Sequence, residues 1–188
     1  MDRPQKDAIL ENLAMASVLA LLSLVVASLS FVVERGEIES ERASIAALAG
    51  AGPATSAIAD ATIVAKPLSA SDSAFRHVYV LQKSGQKAYG AVLSLGSLRR
   101  ATRVAALVGP SGELLGARCL DSCSAGLPYA EDGWFSDFLG KGGDKPYPSS
   151  RIEARFPDAV CGSTESFLDT SSALGRLSAF VRSHGREE

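Results

Sequence analysis

One feature constrains this chain more than any other: the uncharged run from Leu13 to Val33, built only from Leu, Val, Ala, Ser, Met and Phe. Its 21 residues, taken as a helix, cover roughly 30 Å, the thickness of a bilayer's hydrocarbon core. The run predicts a transmembrane helix. The competing reading is a cleavable signal peptide, but the apolar stretch is longer than a signal core and no small-x-small cleavage site follows it. Glu34-Arg35-Gly36-Glu37 reads instead as the polar edge of a span. A pilin-type leader is disfavoured, because positions 2–10 ahead of Glu11 contain no Gly.

Arg3 and Lys6 precede the run and Arg35 and Arg42 follow it, so the positive-inside count is nearly balanced. A twelve-residue leader is easily left in the cytoplasm. The expected topology is therefore single-pass in the cytoplasmic (inner) membrane, with the carboxyl-terminal domain on the periplasmic or extracytoplasmic side. The expected organisation is a leader over 1–12, the span over 13–33, a helix and linker over 34–74, and a domain over 75–188.

Nineteen Lys and Arg against 21 Asp and Glu leave a net charge of −2. A nucleic-acid partner is excluded on that balance, since phosphate neutralisation needs a basic surplus. Two histidines and three cysteines supply too little for a zinc site or a disulfide scaffold, and no metal site is expected. A Cys161/His77 hydrolase lacks an orienting Asn or Asp, so no catalytic residue is assigned.

After the span, Ile38, Ile45, Ala46 and Leu48 among Glu and Arg predict a short amphipathic helix over 37–48, stopped by Gly50-Ala51-Gly52-Pro53. Residues 54–74 are Ala-, Ser- and Thr-rich and read as a linker, with a β-prone patch at Ile63-Val64. Alternation and β-branched content then predict strands over 75–82, 88–95, 102–108 and 113–120. Turns are expected at Gln82–Gly85 and Gly109–Gly112. Residues 133–139 have the pattern of one short helix, with Trp134 and Phe138 in the core. Phe167, Leu174, Leu177 and Val181 predict a last helix over 167–181, with Ser166-x-x-Asp169 as its capping box. Strands this closely spaced pair antiparallel. The fold class is α+β: a small antiparallel sheet with flanking helices after one amino-terminal transmembrane helix.

Ahead of the last helix stands Asp158-Ala159-Val160-Cys161-Gly162-Ser163-Thr164-Glu165-Ser166. This segment resembles the flavinylation motif of the FMN-binding domain family found in the G subunit of the Rnf ion-translocating oxidoreductase complex and the C subunit of the sodium-translocating NADH:quinone reductase. Asp158, Gly162, Ser163, Thr164 and Ser166 fit the motif's slots; Cys161 stands where Ser or Thr is common. Looser likeness covers Ala88–Leu93 and Gly112–Ala117 (a Gly-rich strand and hairpin), Ala125-Gly126-Leu127, and Trp134, Phe138, Gly140 and Lys141. The family's His-x-Glu-Thr is replaced by Asp121-Ser122-Cys123-Ser124, which bears on redox tuning more than on attachment.

The resemblance implies covalent FMN, joined by its phosphate to the Thr164 hydroxyl by a separate flavin transferase. It also implies electron relay among the other membrane subunits of a redox-driven ion pump. Gly162 gives close backbone approach, Ser163 and Ser166 offer hydrogen bonds to phosphate, and Asp158 is a recognition element. An unliganded extracytoplasmic scaffolding domain, with Thr164 merely at a helix start, is the alternative. Cys119 and Cys123 stand four apart, and a disulfide between them is possible but geometrically demanding.

Overall fold

The computed structural model describes residues 3–50, 61–63, 68–96, 102–120, 133–148 and 163–184. The uncharged run lies inside one helix, α1 (Arg3–Ala49). The helix continues through Gly36 to the predicted stop at Gly50. The chain forms two units, Met1–Glu39 and Ser40–Glu188, so the boundary falls within α1.

In the first unit, side chains on every side of the helix are exposed, including Leu19, Leu21, Leu22, Leu24 and Phe31. Ser17, Ser23 and Ser28 donate to the carbonyls of Leu13, Leu19 and Leu24, at 2.8, 2.9 and 2.8 Å. Their hydroxyls are thereby satisfied within the helix, as an apolar solvent demands. This helix is long and apolar enough to cross a membrane.

The second unit is α+β. β1 (Thr62–Ile63), β2 (Leu68–Ser69), β3 (His77–Lys83), β4 (Gln86–Leu95), β5 (Thr102–Val108) and β6 (Leu114–Cys119) form one antiparallel sheet. The order is β1-β3-β4-β5-β6, with β2 also on β3. The four long strands carry the sheet; β1 and β2 add two residues each. Both short strands come from the stretch expected as a linker, where backbone pairing escapes a composition-based reading.

Lys83 pairs with Gln86, so the first hairpin turns on Ser84-Gly85 alone. Both have positive φ, 49° and 83°, the backbone that matches strand twist in a two-residue loop. The second hairpin closes by Gly109 N–H to the Glu113 carbonyl (2.8 Å) and Gly112 N–H to the Gly109 carbonyl (2.9 Å).

Both faces of the sheet are buried. On one, Val78, Val80, Ala91, Leu93, Val104, Ala106 and Val108 pack with Phe167, Ala173, Leu174, Leu177 and Val181 of α2 (Ser163–His184). At alternate positions on the other lie Tyr79, Leu81, Ala88, Gly90, Val92, Ala105 and Leu107. Here the Ser40–Ala49 part of α1 docks, with Ile45, Leu48 and Ala49 buried. A Cβ built on Gly90 would stand 2.4 Å from Ile45 Cγ2. The sheet thus carries glycine where Ile45 leaves no room for a side chain.

The predicted helix over 133–139 is only a 3₁₀ turn, Ser136–Phe138, between turns. Gly133 and Gly140, with φ of 95° and 70°, bracket it and prevent extension. Trp134 and Phe138 nonetheless lie in the core, Phe138 4.6 Å from Phe167 by ring centroid. Leu114 N–H donates to the Lys141 carbonyl (2.8 Å), and Gly140 N–H to the Leu114 carbonyl (2.9 Å), pinning this segment to β6.

Candidate functional site

α2 starts at Ser163, four residues before the predicted start at Phe167, and runs to His184. The capping box expected at Ser166-x-x-Asp169 therefore does not form: both residues are inside the helix. Helical backbone already begins at Ser163, so Ser166 lies within the first turn and not at the non-helical position a cap occupies. Ser166 is half-buried, and its carbonyl accepts the Thr170 hydroxyl at 2.7 Å.

Ser163 and Thr164 are the first two residues of the helix. The backbone N–H groups of a first turn have no partner four residues back, and the macrodipole is positive there. At the opposite end, Arg182 and His184 occupy the last turn, the sign its negative end favours. Asp158, Cys161 and Gly162 lie outside the described residues, as do Cys123 and the Ala125-Gly126-Leu127 loop. Cys119 is disulfide-bonded, and its partner also lies outside the described residues.

Beside α2 runs a groove of about 660 Å³, bounded on the facing side by Gly142–Asp144 and Pro146–Pro148. The two walls are tied together. Ser171 donates to the Pro148 carbonyl. Ser178 Oγ donates to the Gly112 carbonyl at 2.6 Å. That contact uses the one Ser178 proton, so in its 3.2 Å contact with Tyr147 Oη the tyrosine is the donor. Burial pushes the Tyr147 phenol above its usual pKa, with Glu113 adding to the rise and Arg182 opposing it. Tyr147 therefore remains a neutral donor through the physiological range. Gly142 has φ 108°, and a Cβ there would meet the Gly112 carbonyl at 2.3 Å and Tyr147 Oη at 2.5 Å. Only glycine lets the loop sit this close.

A second polar cluster lies on the other face of the sheet. Glu41 Oε2 accepts from Tyr79 Oη at 2.8 Å and from His77 Nδ1 at 3.2 Å. His77, set aside above as half of a hydrolase pair, is thus a strand residue partnered by α1, with its side chain 13% exposed.

Sequence reasoning missed both the groove and this cluster. Each left a trace. Glu41 interrupts the apolar row of Ile38, Ile45 and Leu48, which signals a buried polar partner. Ser171, Gly175 and Ser178 make a row of small residues along α2 where a groove wall needs them. Among the described residues no group of three His, Cys, Asp or Glu is placed to hold a metal ion. No protein-family model matches the chain, and no curated protein does.

Proposed function

We propose that the chain is a membrane-anchored flavoprotein subunit that carries FMN covalently on Thr164 and relays electrons within a redox-driven, ion-translocating complex of the Rnf type. The observation that carries this reading is the place of Ser163 and Thr164 in the first turn of a 22-residue helix, within the motif from Asp158 to Ser166. The start of a helix is a position whose backbone N–H groups suit a phosphate. A phosphoester at Thr164 would place its charged oxygens at the positive end of α2, where anionic groups are favoured by about 0.3–1 kcal/mol at an exposed site.

When bound, the flavin supplies reversible electron transfer; the protein supplies attachment and position. Thr164 offers its hydroxyl oxygen for the ester. The N–H groups of the first turn, with the Ser163 and Ser166 hydroxyls, orient the phosphate. Asp158 serves recognition by the transferase that installs it, and Gly162 lets transferase or phosphate approach the backbone closely. α1 holds the domain at a membrane, where the partner subunits of an ion pump reside. The disulfide at Cys119 favours an oxidising compartment, in keeping with a domain on the periplasmic or extracytoplasmic side.

The test is substitution at the motif. Co-expressed with a flavin transferase, Thr164→Ala is expected to carry no covalent flavin, whereas Ser163→Ala and Ser166→Ala retain it in reduced yield. Stoichiometric covalent flavin on Thr164→Ala would refute the assignment. A colourless wild-type chain beside an active transferase would favour the scaffolding alternative.

A further inference from the structure

We propose that Glu41, His77 and Tyr79 form a proton-sensitive latch, which holds the Ser40–Ala49 part of α1 on the sheet more tightly once His77 carries a second ring proton. The proposal stands on this cluster and is independent of the flavin.

Placement gives the first argument. The docked part of α1 buries only Ile45, Leu48 and Ala49 among its apolar residues, a short contact for a helix. Glu41 stands one turn before Ile45 and reaches Tyr79 on the same face of the sheet. With so small an apolar contact, this polar one weighs in how firmly the helix docks. The Glu41 and His77 side chains are 14% and 13% exposed, so salt and water screen their attraction far less than at an open surface.

The hydrogen bonds give the second. An ionised carboxylate has no proton to donate, so Glu41 Oε2 accepts from Tyr79 Oη at 2.8 Å and from His77 Nδ1 at 3.2 Å. The neutral imidazole therefore keeps its proton on Nδ1. A second proton goes to Nε2, leaves the Nδ1–H contact in place and makes it charge-assisted. No side chain has to turn, and Tyr79 donates in both states.

The surroundings decide the sign. On α1, Arg42 is engaged with the Ile63 carbonyl at 3.3 Å, and Glu37 stands one turn before Glu41. β2 sets the uncharged Ser69 opposite His77, and β4 has no charged residue from Ala88 to Val92. Arg76, next to His77 in the chain, is exposed to solvent. Arg103 of β5 and Arg118 of β6 share this face of the sheet, but their strands lie two and three places from β3. That is about 10 and 14 Å at roughly 4.8 Å per strand, where repulsion is largely screened. The Glu41 contact at 3.2 Å outweighs it. Docking is thus firmest where imidazole is protonated and carboxylate is not, and the gain is lost as pH rises through the imidazole range.

The experiment uses the full chain in detergent micelles and reads deuterium exchange of the backbone amides over residues 40–49. Protection in wild type is divided by protection in His77→Gln at the same pH, which cancels the intrinsic pH dependence of exchange. His77→Gln keeps an N–H donor for Glu41 but has no ring to protonate. The ratio should be at least about threefold higher at about pH 5.5 than at about pH 8, values that bracket the imidazole range. Glu41→Gln, divided by the same reference, should show no such rise. Tyr79→Phe removes the neutral donor alone, so it should lower protection at both pH values and keep the rise. If His77→Gln does not fold, Glu41→Gln serves as the reference for wild type. A wild-type ratio equal at the two pH values, or a rise that survives in Glu41→Gln, would overturn the latch.

Discussion

At Gly90 the sheet meets Ile45 of α1 closely, and their coupling can be calculated before it is measured. A methyl at position 90 would lie 2.4 Å from Ile45 Cγ2 and 3.2 Å from both Cδ1 and Cγ1. Gly90→Ala therefore forces Ile45 off its rotamer or the helix off the sheet, at a cost of about 1–3 kcal/mol. Loss of glycine's freedom in the unfolded chain offsets only about 0.4–1 kcal/mol of that. Ile45 is fully buried, so Ile45→Ala alone should cost about 2–5 kcal/mol through lost burial and the cavity it leaves. In the double variant the atoms that clash are gone and the new methyl enters the vacated space. The double variant should then be more stable than the sum of the two changes predicts, by about 0.5–3 kcal/mol. The assay is urea unfolding of the full chain in micelles, followed by emission of Trp134, the chain's one tryptophan and a buried one. Effects that add to within about 0.3–0.5 kcal/mol would show that α1 does not dock on the sheet at Gly90.

Three further outcomes are expected. Phe138→Ala should lower unfolding stability by about 3–5 kcal/mol, because the ring is fully buried against Phe167; urea midpoints measure it, and a change within the surface range would contradict its place in the core. Tyr147 has its phenol pKa raised by burial, so the unfolded chain gives up this proton first. The stability tied to it is complete below pH about 10 and is lost as pH rises through the higher folded value. Unfolding of wild type and Tyr147→Phe, compared on both sides of that pH, should show a steeper alkaline loss in wild type; parallel losses would refute it. Finally, with α1 as an anchor, the full chain should stay in the membrane pellet after alkaline carbonate washing, and its release to the supernatant would contradict a spanning helix.

Much of the architecture was legible because particular residues enforce it. Gly85, Gly109 and Gly112 mark the hairpins, and the continuous apolar runs Val78–Leu81 and Val104–Val108, rich in β-branched residues, match strands buried on both faces. The apolar run at 13–33 fits a helix that nothing interrupts. The failures are equally specific. Residues 133–139 have helical spacing, yet two glycines with positive φ hold them to a single 3₁₀ turn. The start of α2 was placed late because Ser166 and Asp169 fit a capping pattern by residue type, although both lie inside the helix. β1 falls at the β-prone patch noted at Ile63-Val64, but β2 depends on pairing with β3, which the sequence around Leu68-Ser69 does not announce. At the candidate site the motif was readable as a string of residue types. The groove beside it was not, because its walls are distant in sequence and are brought together by contacts such as Ser171 to Pro148, 23 residues apart, and Tyr147 to Ser178, 31 apart.

The central claim is the bond at Thr164. Its most direct measurement is the intact mass of the full chain after co-expression with a flavin transferase, with in-gel flavin fluorescence under denaturing conditions and peptide mapping of the labelled band. The account predicts a fluorescent band heavier by one FMN residue, with the added mass on the peptide containing Thr164. A dark band of unmodified mass, produced beside a transferase that labels a known acceptor in the same cells, would contradict it.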